Sequence, residues 1–93
     1  MSDICLTLVG KPGCHLCDNA RAVVGEVLAA LPADASGVPG AERVQVEERD
    51  ILAEPELYGK YWEEIPVVLI DGRQHAYWRV DPQRLTDALV AKL

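Results

Sequence analysis

The chain has 93 residues, nearly half of them apolar and about a quarter charged, with a formal net charge of −6. That length and mixture describe one globular domain, residues 1–93, with a single modest core. The acidic balance and the lack of any basic run argue against nucleic-acid and membrane partners, and no apolar stretch approaches the roughly 20 residues of a membrane span.

Residues 4–9, Ile-Cys-Leu-Thr-Leu-Val, form a nearly continuous apolar run with the length and β-branched content of a buried strand. Gly10, Pro12 and Gly13 break it. Residues 14–31 then show helical spacing, with Leu16, Ala20, Val23, Val24, Val27, Leu28 and Leu31 on one side and Asp18, Arg21 and Glu26 facing water. Residues 32–41 read as a loop without assigned function. Residues 43–49 alternate through Val44 and Val46, as a short strand does. Pro55 suits the first turn of a second helix running through Leu57, Tyr58, Tyr61 and Trp62. Val67-Val68-Leu69-Ile70 is the strongest strand signal, Asp71-Gly72 signals a hairpin turn, and residues 74–80 return as the partner strand. Asp81-Pro82 reads as an N-cap with proline at the first helical position, opening a helix with Leu85, Leu89, Val90 and Leu93 on its apolar face. The order is β-α-β-α-β-β-α, an α/β fold whose strand–helix–strand unit is parallel and whose hairpin adds an antiparallel strand. A four-stranded mixed sheet with helices on its faces is expected.

Gly13-Cys14-His15-Leu16-Cys17 stands where the first strand gives way to the first helix. A Cys-x-x-Cys pair beside a βαβ pattern reads as a dithiol redox site. Cys14 falls at the helix start, near unpaired N–H groups and the positive end of the dipole, which favours the thiolate that attacks disulfides. Cys17, three residues on, shares its helix face and can reach back to close a disulfide. Met1-Ser2-Asp3 lacks the basic and apolar segments of a signal peptide, so the cytosol, where thiols stay reduced, is the expected address. A metal site is the weaker reading. Tetrahedral zinc needs four ligands, and only Cys5, His15 and His75 remain. A haem attachment signature needs histidine directly after Cys17, where Asp18 stands. Cys5 reads as a small buried hydrophobe. His15 is open between tuning Cys14 as an imidazolium and lying exposed at a helix start. Tyr77 and Trp78 read as sheet-packing residues, and Glu63-Glu64 as a solvated helix end near Pro66.

Cys14-x-x-Cys17 after the first strand, together with Pro55-Glu56-Leu57, Glu64-Ile65-Pro66-Val67 and Trp78-Arg79-Val80-Asp81, resembles the glutaredoxin-like family of small thioredoxin-fold proteins over essentially the whole length. The resemblance implies that Cys14 is the attacking thiolate and Cys17 the resolving thiol. It implies a cis bond at Ile65-Pro66, with the carbonyl of Ile65 and the flanking backbone available to substrate. Lys11 matches a basic position that helps to hold a glutathione carboxylate. His15 and Arg79 complete the candidate binding residues, Arg79 as a bidentate carboxylate partner. Two departures stand out. His15-Leu16 replaces the usual Pro-Tyr type of pair, and Trp78-Arg79 replaces a Gly-Gly approach to the last helix. Pro82 there has no N–H to offer an anion. Glutathione binding is therefore expected to be poor.

The expected activity is thiol–disulfide exchange through a mixed disulfide, with no cofactor beyond the dithiol. The alternative is a non-enzymatic thioredoxin-fold module that binds a metal or partner, or senses redox state, through the same thiols. Expected partners are a protein or small-molecule disulfide, and glutathione or a thioredoxin reductase system as reductant. The chain is expected to be a monomer.

Overall fold

In the computed structural model, residues 3–93 are described; Met1 and Ser2, part of the stretch read for a leader, lie outside the described residues. The elements follow the predicted order: β1 (Ile4–Gly10), α1 (His15–Ala30), a 3-10 turn (Gly40–Arg43), β2 (Val44–Asp50), α2 (Pro55–Tyr61), β3 (Val67–Ile70), β4 (Arg73–Tyr77) and α3 (Pro82–Val90). The sheet order is β2-β1-β3-β4. β1 runs parallel to β2 and antiparallel to β3, and β3 pairs antiparallel with β4.

Alternation along β1 and β3 creates two cores. Ile4, Leu6 and Leu8, with Val68 and Ile70, face Ala20, Val24 and Val27 of α1 and Leu85 and Leu89 of α3. Val9 and Val67 point the other way, against Ile51, Tyr61 and the partly buried Leu57 of α2. Leu85 and Leu89 are both fully buried, and each contributes about 1.5–3 kcal/mol of hydrophobic stabilisation. Asp71 and Gly72, both at positive φ, make the tight β3–β4 turn, where glycine meets no steric penalty.

Five expectations are corrected. Leu16, in the first turn of α1, is exposed rather than in the core. Trp62 caps the C-terminus of α2 instead of extending its apolar face, and is half exposed while stacked on Tyr58. Val46 and Val90 also face solvent. The return strand stops at Tyr77, short of residue 80, because Trp78 turns to φ 64 and sends its N–H to the carbonyl of Pro66. The predicted loop at 32–41 is organised at both ends. Asp34 accepts the N–H groups of Ser36 and Val38, and Arg43, in the 3-10 turn, clasps both Asp34 and Asp3.

Asp81 behaves as predicted. Its Oδ1 accepts the N–H of Gln83 at 2.8 Å and of Arg84 at 3.1 Å. Asp81→Ala is expected to cost about 1 kcal/mol, a fall of roughly 4–8 °C in Tm for a domain of this size, read by thermal unfolding. Among the described residues no helix is long and apolar enough to cross a membrane.

Candidate functional site

The site is built where β1 ends. Cys14 is the N-cap of α1, with extended backbone, and its carbonyl accepts the N–H of Asp18 at 3.0 Å. Its Sγ accepts the N–H of Cys17 at 3.2 Å. That bond places a helix-start donor on the sulfur. Cys14 is half-buried. Cys17, one turn deeper, is only 1% exposed.

Cys17 fits because Gly10 has no side chain. A Cβ on Gly10 would stand 2.8 Å from the Cys17 Sγ and 3.3 Å from its Cβ. Gly10 was legible in the sequence only as a strand breaker; its close approach to the thiol was not. Burial, and then the hydrogen bond with Cys14, push the Cys17 thiol up from 9.0 to about 11, although the backbone N–H of Lys11 opposes the rise. The two sulfurs are thus chemically unequal. At neutral pH, iodoacetamide is expected to modify Cys14 and spare Cys17, which becomes reactive only as the pH nears 11; peptide mass mapping after alkylation reads this. The folded chain holds the Cys17 proton more tightly than the unfolded chain does. The stability this adds is complete below pH 9.0 and is lost as pH rises to about 11.

Ile65-Pro66 is cis, as the resemblance implied. Pro66 is fully buried and lies one residue before Val67, which pairs with Val9 beside Gly10. The register therefore sets the cis-proline against the same end of β1 that seats Cys17. Ile65 is half-buried and donates its N–H to the carbonyl of Tyr61 at 3.1 Å.

Lys11 and Arg79 line two different grooves. One, of about 390 Å³, is lined by Gly10, Lys11, Cys17, Asp18, Arg21 and Asp50, among others. Arg21 is bound there to Asp18 and Glu48, whereas Lys11 has no ion pair among the described residues. The other, of about 270 Å³, is lined by Leu16, Asn19, Ala20, Val23, Trp78, Arg79 and Val80. Lys11 and Arg79 are thus not brought together. His15 is exposed at the first position of α1 and makes no hydrogen bond or ion pair among the described residues. His75 lines a separate hollow with Asp71 and Lys92. Among the described residues no three His, Cys, Asp or Glu side chains are gathered as a metal site.

The chain has counterparts among known proteins, in sequence and in fold. The family model described as Glutaredoxin-like domain (DUF836) matches residues 5–90. The chain belongs to this glutaredoxin-like family. Uncharacterized proteins of Mycobacterium tuberculosis and Mycobacterium bovis are 31% identical to this glutaredoxin-like chain over 78 residues, 84% of it and 74% of each relative. A structural genomics target from X. campestris superposes with a TM-score of 0.67 at 26% identity, covering 92% of this chain and 96% of that one. The crystal structure of Trxlp from Edwardsiella tarda superposes with a TM-score of 0.59 at 13% identity, covering 92% of this chain and 81% of that one, a likeness of fold alone. The glutaredoxin-like chain therefore has the thioredoxin-like fold.

Proposed function

We propose that the chain is a thiol–disulfide oxidoreductase acting through Cys14 and Cys17. The observation that carries this is the asymmetry of the pair: a half-buried cysteine whose sulfur accepts a helix-start N–H, beside a buried cysteine whose proton is retained. The Cys14 thiolate attacks one sulfur of a substrate disulfide. The S–S bond breaks and its other sulfur leaves as a thiolate that takes up a proton. Cys17 then gives up its proton and attacks the Cys14 Sγ, forming the Cys14–Cys17 disulfide and releasing the second substrate thiol. Two electrons pass to the substrate, and a thiol reductant must return them. Reduction of insulin by the dithiol form, with regeneration by dithiothreitol, tests the reading. This chemistry belongs in a reducing compartment such as the cytosol.

Glutathione is the weaker reductant in this reading. The N–H groups at the start of α3 are already taken by the Asp81 carboxylate, and Pro82 has none. Lys11 and Arg79 stand in different grooves, so neither completes a clamp with the other. Turnover driven by glutathione and glutathione reductase is expected to be at least about tenfold slower than with a dithiol reductant, the equivalent of one lost charge-assisted hydrogen bond. Comparable rates would overturn this choice of reductant.

A further inference from the structure

Trp78 occupies a backbone conformation that suits glycine. Its φ is 64, in the left-handed region that a bulky L-residue rarely adopts. The conformation is over-determined by its neighbours. The Trp78 N–H bonds the carbonyls of Pro66 at 2.9 Å and Glu64 at 3.2 Å, and the indole Nε1–H bonds the carbonyl of Glu63 at 2.8 Å. Tyr77 braces the ring edge-on, with centroids 5.0 Å apart. Strain held in this way marks functional positions more often than packing positions. Packing does not explain the indole here, because 53% of the residue is exposed. All its polar hydrogens are spent inside the molecule, so what it offers outward is an apolar face.

That face is one wall of the groove of about 270 Å³ whose opposite wall starts at Leu16, two residues from Cys14. Leu16 is exposed, Ala20 and Val23 line the groove, and its one charge is Arg79. Arg79 has no ion pair or side-chain hydrogen bond among the described residues. We infer that the groove between Leu16 and Trp78 is a specificity subsite for polypeptide substrates, taking a bulky apolar side chain beside the reactive cysteine while Arg79 pairs with a neighbouring carboxylate. Glutathione carries no bulky apolar side chain to fill it. The subsite's part in turnover rests on the oxidoreductase reading above, but its binding does not.

The test uses the reduced wild-type protein and capped hexapeptides whose cysteine is S-methylated and cannot react. One peptide carries phenylalanine and aspartate beside that cysteine; in two others, phenylalanine becomes serine or aspartate becomes lysine. Titration is followed by the indole N–H resonances and by the backbone amide resonances of α1, which every variant retains. The first peptide is expected to shift the Trp78 resonance, and each replacement to weaken binding by about tenfold or more. Trp78→Gly, which relieves the backbone, is expected to weaken the first peptide equally. Trp62→Ala, which removes an indole of similar exposure at the end of α2, is expected to leave it unchanged. Equal binding of the three peptides, full affinity in Trp78→Gly, or an equal loss in Trp62→Ala overturns the inference. Insulin reduction by the wild-type protein is read separately. Activity without peptide discrimination sinks the subsite and spares the oxidoreductase reading; peptide discrimination without activity does the reverse.

Discussion

Cys14→Ser is expected to lower disulfide reduction by about 10³-fold or more, since loss of a covalent nucleophile leaves only residual catalysis. No other sulfur can take its place. Cys17 is buried beneath it with its proton retained, and Cys5 is a half-buried strand residue whose Sγ faces the Thr7 hydroxyl at 3.9 Å. Cys17→Ser is expected to behave differently. It keeps Cys14 at the helix start, and the backbone N–H that Cys14 accepts belongs to residue 17 whatever its side chain. The first attack therefore proceeds, and the mixed disulfide accumulates because nothing resolves it. Intact mass after exposure to a disulfide substrate should show an adduct on Cys17→Ser and none on Cys14→Ser. The opposite pattern would reverse the two roles.

Gly10→Ala is expected to be the most disruptive small substitution at the site. The added methyl would stand 2.8 Å from the Cys17 Sγ, inside a buried seat at the end of β1. Overpacking of this kind costs about 1–3 kcal/mol, and α1 must shift to relieve it, carrying Cys14 along. Chemical denaturation should show the loss in midpoint. Adding Cys17→Ala removes the sulfur at 2.8 Å and leaves only the 3.3 Å contact with the Cys17 Cβ. The double variant should recover part of the stability, with a coupling of about 0.5–3 kcal/mol. Strict additivity would show that Gly10 does not seat Cys17.

The sequence carried the element order because its signals were local and agreed with one another. The Val67–Ile70 run, the Asp71-Gly72 turn and the Asp81-Pro82 cap each needed only a few neighbouring residues to be read. The Cys14–Cys17 spacing likewise placed both sulfurs at one helix start. What escaped depends on contacts distant in sequence. Trp78 leaves the strand because its N–H and indole are drawn to the loop at residues 63–66. Propensity favours an aromatic residue in a strand, and that preference was overridden. Gly10 looked like a terminator because nothing in a linear reading brings the Cys17 sulfur against it. Leu16 obeyed helical periodicity, yet the fold leaves it exposed in a groove with Trp78 and Val80. Lys11 and Arg79 could be named as candidate carboxylate-binding cations, yet only the fold assigns them to separate grooves.

The order β2-β1-β3-β4 leaves β2 and β4 as open borders, where a second copy could add a strand. β2 is hard to extend. Glu47 and Arg49 pair with each other, Arg49 reaches Glu54, and Glu48 holds Arg21, so that border is lined with fixed charges. β4 is five residues long, its pairing with β3 slips register between Val68 and Leu69 of that strand, and it ends abruptly at Trp78. A newcomer on either side would meet charge or run out of backbone to pair with. The features that shape the groove at Trp78 thus also shorten the surface on which sheets of neighbouring molecules could fuse.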